Sequence, residues 1–329
     1  MLQSAIGPVS VALHKLFTVV WKHGKVPAEW KEGIIVSLYK GKGPRNTCSS
    51  YRPISLLSVP GKVFCHVLLA RLQPLLISKR RPQQSGFTAG RSTVDAILAL
   101  RLLSEIHREF NRPLHVAFVD LKSAFDSVDR VTLWKALRGV GVPKLILDII
   151  EDLHSGSCAK VRIGSELSSQ FLTSSGVRQG CVLAPALFCR AIDWIMERVS
   201  QTSGIYAGSH HFTDLDYADD VTLFGTDKDS LVSLLQTFES TASSLGLHLS
   251  WQKTKVQTLG AGPPISSVTV NGQCVEAVED FVYLGSCQSS SGRCHPDIMW
   301  LIGLASSAMR AMQRVWSLRS LSLPTKLRL

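Results

Sequence analysis

Asp216-Tyr217-Ala218-Asp219-Asp220-Val221 sets two adjacent carboxylates between two short apolar-leaning runs, His211 to Tyr217 and Val221 to Phe224. Two such runs around a short break predict a β-hairpin with the Asp pair at its tip. Like charges on a tight turn raise each other's pKa, so the pair brings no stability of its own. A divalent cation removes the difficulty, because hard oxygen ligands are what Mg²⁺ prefers. An ordinary solvated turn, where Asp is common, accounts for the stretch on its own equally well.

A second carboxylate lies well upstream. His115 to Val119 is apolar, and Val116, Ala117, Phe118 and Val119 predict a buried strand that ends at Asp120. A carboxylate there can point into a cleft beside the hairpin. Asp120, Asp219 and Asp220 would then converge on two metals about 3.5–4 Å apart, as in-line phosphoryl transfer requires. Alone, Asp120 reads as readily as a cap for the segment that follows. The two motifs together weigh more than either.

The chain has 329 residues, 45% hydrophobic and 19% charged. That suffices for a large core in two or three subdomains. The net charge of +11 is unevenly spread. Residues 1–115 carry 17 Lys/Arg against 5 Asp/Glu, a net of +12, and residues 116–329 carry 19 against 20, a net of −1. A basic half beside a carboxylate half suits a polyanion held next to a metal site. The eight cysteines form no CxxC pair, and Cys287, Cys294 and His295 lack zinc-site spacing. They read as reduced, intracellular and mostly buried. No signal peptide, no membrane span and no internal repeat is evident.

Helical spacing covers residues 3–22, about 60–77, 93–110, 130–138, 143–154, 185–199, 228–245 and about 298–318. Strands are expected at Gly33 to Tyr39, at Cys158 to Ile163 with Leu167 to Thr173, at Lys255 to Leu259, and as short alternating runs within 267–285. Lys40 to Arg45 is a basic, Gly-rich loop without P-loop spacing, in which Lys40, Lys42 and Arg45 could cover phosphates. Ser175 to Cys181 is a Gly-flanked loop whose small residues let backbone approach a ligand.

Seven blocks then occur in a telling order: YRPISLLSVPGKVF, QSGFTAGRSTVDAI, FVDLKSAFDSVDR, SSGVRQGCVLAPALF, LDYADDV, LGLHLSWQKTKV and VEDFVYLGS. Their order resembles the reverse transcriptase domain of non-LTR (LINE-type) retrotransposons over nearly the whole chain. The resemblance implies an α/β right-hand polymerase fold of fingers and palm, with an antiparallel palm sheet and packing helices. It implies a basic N-terminal extension and fingers at 1–115, mainly palm with inserted fingers at 116–290, and the start of a thumb at 291–329. A preceding endonuclease and a full thumb, usual in such elements, are not among these residues. By the resemblance, Asp120, Asp219 and Asp220 hold two Mg²⁺ ions, with Mn²⁺ a substitute and the Leu121 carbonyl a further ligand. Lys253 protonates the leaving pyrophosphate. Arg52, with Lys42 and Arg91, grips the triphosphate; Phe125 lies under the incoming sugar and excludes a 2′-hydroxyl; Gln179 and Gly180 pack against nucleotide and template. RNA template, DNA primer and deoxynucleotides are the implied partners, and the nucleus the expected compartment. Thr88, Ala184 and Ser250 depart from the Arg, Ser and Asn usual there. The activity implied is RNA-directed DNA synthesis. Two alternatives remain open: a weak or inactive fragment that binds RNA–DNA hybrid, and a carboxylate–metal phosphohydrolase, which leaves Phe125 and the Gln179 loop unexplained.

Overall fold

The four residues before Asp120, Val116 to Val119, are all apolar, so this stretch must be covered on both faces. This computed structural model describes residues 6–41, 43–199 and 204–328. In it the stretch lies in the strand Pro113–Val119, near the middle of a six-stranded sheet. From one edge to the other the sheet runs Val268–Val270, Gln273–Ala277, Lys255–Gly260, Pro113–Val119, Asp220–Gly225 and Asp214–Tyr217. Leu114, Val116 and Phe118 join one core with Ala96, Leu100 and Leu103 of the helix Thr93–Glu109. Ala117 and Val119 join the other, with Leu231, Leu234 and Phe238 of the helix Lys228–Ser243. Beside that helix packs Ala184–Val199, buried along most of its length. Each such Leu, Val or Phe side chain contributes about 1.5–3 kcal/mol on burial.

Four of the five pairings in this sheet are antiparallel. The fifth corrects the expected antiparallel sheet: Lys255 and Val256 pair in parallel with Glu276 and Ala277. The cause is the turn at Asn271 and Gly272, both with positive φ, which folds Val268–Val270 to the outside and leaves the later strand Gln273–Ala277 inside. That strand then runs with its neighbour.

A second sheet lies at the N-terminal side. Glu32–Tyr39 pairs antiparallel with Tyr51–Leu57 and parallel with Cys158–Ile163, which also pairs with Glu166–Leu167 and Phe171–Leu172. The chain thus returns to the first-formed sheet after it has passed through Asp120. Helices Ile6–His23 and Val59–Ser78 meet through Phe17, Trp30 and Phe64, whose ring centroids lie 5.1–6.0 Å apart. Such edge and tilted pairs add about 0.5–1.5 kcal/mol each beyond area burial.

Three other expectations change. The run His211 to Tyr217 is not one strand. His210–Phe212 pairs with Ile205–Ala207 in a separate ribbon, and Asp214–Tyr217 alone belongs to the main sheet. The final helical pattern breaks at Met312 into His295–Ala311 and Gln313–Trp316. Half of the cysteines are buried rather than most: Cys65, Cys158, Cys181 and Cys189, with all eight thiols free. Among the described residues no helix is long and apolar enough to cross a membrane.

Candidate active site

Register decides which side chains meet. Val221 pairs with Val119 across the antiparallel ladder, so the next positions outward, Asp220 and Asp120, stand opposite each other on one face. Cβ atoms so placed lie about 4.5–5.5 Å apart. Asp219 belongs to the two-residue loop Ala218-Asp219 that joins Tyr217 to Asp220. The three carboxylates thus come from two neighbouring strand ends and one turn. Asp120 caps no helix: the short helix Ala124–Ser127 starts beyond it and is preceded by Ser123.

The electrostatics follow from that crowding. Burial raises the pKa of Asp219, Asp120 adds to the rise, and the Arg52 guanidinium opposes it. Burial pushes Asp220 up to about 6, with Asp219 and then Asp120 contributing. The Asp220 side chain still reaches the water of the cleft, which screens part of the repulsion. Lys253 supplies a counter-charge, its Nζ 3.3 Å from Asp120 Oδ1. Among the described residues no three His, Cys, Asp or Glu side chains stand close enough to enclose an ion. The donor chemistry fits a divalent cation all the same: two of three hard carboxylate ligands are destabilised as anions by burial and by each other, which is the cost a cation offsets.

The surrounding segments are laced to Asp120 through backbone. Its N–H donates to Thr254 Oγ1 (3.3 Å), and its carbonyl accepts from Ser250 N–H (2.8 Å). Lys122 N–H donates to the His248 carbonyl, so the Leu121 carbonyl between these two bonds is turned away from that segment. Ser250 contributes here through its main chain alone.

Arg52 is exposed on the strand Tyr51–Leu57 and acts on Asp219 across the cleft. Gln179 and Gly180 pack on that same strand. The Gln179 carbonyl accepts from Ser55 N–H at 2.7 Å, and a Cβ on Gly180, at φ +116°, would lie 2.5 Å from the Ser55 carbonyl oxygen. Only glycine fits there. Phe125 is half-buried and stacks on Phe188, centroids 4.4 Å apart and planes 18° apart. Its carbonyl accepts from Val177 N–H at 2.7 Å, which ties the Gln179 loop to the Asp120 segment. The structure therefore gathers Asp120, Asp219, Asp220, Lys253 and Arg52, and joins Phe125 to Gln179 and Gly180 by packing. Arg91 is exposed ahead of the helix Thr93–Glu109, and the carboxylate it acts on is Asp95. Lys42 lies outside the described residues.

Two contributors escape a reading of the sequence. Beneath the turn, Arg81 pairs with Asp214 (2.5 Å) and Asp216 (3.0 Å), both fully buried. Burial and the neighbouring Asp214 hold the Asp216 carboxyl well above the usual range. From sequence, Arg81 is one residue of a basic helix stop. The other is the segment Gln84-Ser85-Gly86, which from sequence is a turn. Ser85 N–H donates to the Asp216 carbonyl (2.8 Å), and Asp216 N–H to the Gln83 carbonyl (3.2 Å). Arg80 Nη1 reaches Thr88 Oγ1 at 2.8 Å, so a guanidinium still lies at the position whose own residue is Thr. Asp216 in the first motif is the one visible sign that the hairpin has a buried charged root.

Comparison with known proteins bears on this arrangement. Residues 39–287 match the family model described as reverse transcriptase (RNA-dependent DNA polymerase). The chain is 26% identical over 290 residues to the Retrovirus-related Pol polyprotein from type-2 retrotransposable element R2DM of Drosophila melanogaster, covering 83% of this chain and 27% of that protein. It is 28% identical over 312 residues to the Putative 115 kDa protein in type-1 retrotransposable element R1DM of the same organism, covering 92% of this chain and 29% of that protein. The chain thus spans a little over a quarter of the length of these relatives. Telomerase from Candida tropicalis superposes with a TM-score of 0.55 at 12% identity, over 86% of this chain and 49% of that one. That likeness concerns the fold, which is a right-hand polymerase fold. With three quarters of its residues inside the matched model and the paired carboxylates in its motifs, the chain belongs to the reverse transcriptase (RNA-dependent DNA polymerase) family.

Proposed function

We propose that this chain is the RNA-directed DNA polymerase core of a non-LTR retrotransposon, with a basic N-terminal extension and fingers at 1–115, mainly palm with part of the fingers inserted at 116–290, and the start of a thumb at 291–329. The observation that carries the reading is the register that sets Asp220 opposite Asp120, with Asp219 on the adjoining turn and Arg52 facing it.

Asp120, Asp219 and Asp220 would hold two divalent cations, Mg²⁺ in the first instance and Mn²⁺ as a substitute. Bound there, the cations favour the alkoxide form of a primer 3′-hydroxyl and neutralise charge on the departing pyrophosphate. The rest falls to the protein's own groups. Arg52, exposed and without a contact salt bridge among the described residues, is suited to bidentate contact with the triphosphate. Lys253 lies within reach of Asp120 and can release a proton to a pyrophosphate oxygen. Phe125, held by Phe188, offers a flat apolar floor for the sugar. Gln179 and Gly180, fixed on the Arg52 strand, bring fingers and palm together around template and nucleotide. A net of +12 over residues 1–115 favours RNA and hybrid backbones. The nucleus is the compartment this reading requires.

The test is incorporation of labelled deoxynucleotides by the purified chain on a primed RNA template with Mg²⁺. Product that needs template, primer and cation together is expected. Free phosphate released from nucleotides without primer would instead indicate a phosphohydrolase.

A further inference from the structure

Gln84 is 2% exposed and lies under the catalytic turn. Its Oε1 accepts from Ala218 N–H at 2.9 Å and from Gly86 N–H at 2.8 Å. Its Nε2 has no partner among the described atoms. The side chain is therefore held for its carbonyl alone. The group it holds is unusual: Ala218 sits at φ +59°, in the left-handed region, at the first loop position of the hairpin. Asp219 is the next residue, so whatever fixes the Ala218 peptide sets the direction of Asp219.

The backbone around Gln84 serves the same contact. Gln84 bridges Asp216 in parallel, flanked by hydrogen bonds from Ser85 and to Gln83. A Cβ on Gly86 would stand 2.3 Å from Ala218 N and 2.9 Å from Ala218 Cα, so the turn and this loop touch as backbone against backbone. Cys189 and Arg80 both direct donors at the Gly86 carbonyl.

Building on the polymerase reading, we infer that Gln84 is a positioning residue: its side-chain carbonyl locks Ala218 in the left-handed state and so aims Asp219 for nucleotidyl transfer. It touches neither nucleotide nor primer. Its removal leaves the substrates bound and the carboxylate misdirected.

The experiment compares Gln84→Met and Gln84→Glu with the parent in the full chain. Met keeps the length and loses the acceptor. Glu keeps the length and an acceptor oxygen for the Ala218 and Gly86 N–H groups. Gln84→Met is expected to lower kcat about 10–100-fold, with KM for deoxynucleotide and hybrid affinity held, since a displacement near 1 Å can cost that much. Gln84→Glu is expected to restore most of kcat. Hydrogen exchange over 214–221 should quicken in Gln84→Met and not in Gln84→Glu, with Pro113–Val119 protected in both. Unchanged kcat in Gln84→Met, hybrid affinity that falls along with kcat, or unchanged exchange in the hairpin would each overturn the inference. A parent chain that extends no primer would tell against the polymerase reading, while the exchange comparison still decides the positioning role.

Discussion

Ala218 occupies a backbone conformation that costs an L-residue about 1–2 kcal/mol, and it does so inside the motif Asp216 to Val221, one residue before Asp219. The strain persists because Gln84 and Gly86 hold it from below. Phe125 is a second residue whose setting implies a role. It is fixed on one side by Phe188 and is not fully buried, so part of it remains for a ligand. Phe125→Val is expected to admit ribonucleotides, shrinking the ratio of kcat/KM for deoxy- over ribonucleotide by about tenfold or more, as loss of steric exclusion does in other pockets. Single-nucleotide incorporation kinetics measure it, and an unchanged ratio contradicts the assignment. His154 is a structural counterpart. Burial, reinforced by Arg178 and Arg130, depresses its pKa to about 3, so the folded chain keeps it neutral. Below the ordinary value near 6.5 the unfolded chain takes up a proton that the folded chain refuses, and stability is lost as the pH falls. Going from pH 7 to pH 4.5 should cost about 2–3 kcal/mol through this group alone. Denaturant midpoints should therefore fall less in His154→Gln than in the parent.

The hairpin Asp214–Tyr217 and Asp220–Gly225 shows what a sequence reveals of an element and what it conceals. The carboxylate tip and the strand Pro113–Val119 were legible, because the apolar run Val116 to Val119 signals a doubly covered strand. The true start of the hairpin was not. His211 and Phe212 carry on the same polarity as Leu215 and Tyr217, and the split at Thr213 depends on the separate pairing with Ile205–Ala207. The parallel contact of Lys255–Gly260 with Gln273–Ala277 was hidden for a similar reason, since partner choice is a long-range property. Arg81 was hidden because a basic residue at a helix stop reads as surface, and only the fold carries it to Asp214 and Asp216. This root can be tested as an element. Arg81→Met leaves two buried carboxylates without their cation and should destabilise by about 3–5 kcal/mol. Asp216→Asn replaces a carboxyl already held toward its neutral form, and should cost far less. Equal losses in chemical denaturation would contradict this account of the pair.

At the scale of the molecule, the two sheets divide the labour. The N-terminal sheet carries Arg52 and receives the Gln179–Gly180 loop, and the six-stranded sheet carries the carboxylates. Their joining is built into the topology, because Cys158–Ile163 returns to pair with Glu32–Tyr39 after the chain has laid down the Asp120 strand. Motif order made this architecture readable in advance, while the placement of Arg91 beside Asp95 was not. On the proposed function, the basic N-terminal side would hold a nucleic-acid backbone beside the carboxylate site. The central claim is that Asp120, Asp219 and Asp220 act as one cation-dependent polymerase centre. The most direct measurement is primer extension on an RNA template by the purified chain and by Asp219→Asn, with hybrid binding read in the same samples. Extension by the parent that vanishes in Asp219→Asn, with the hybrid bound equally by both, is the result expected. Extension that survives in Asp219→Asn would contradict it.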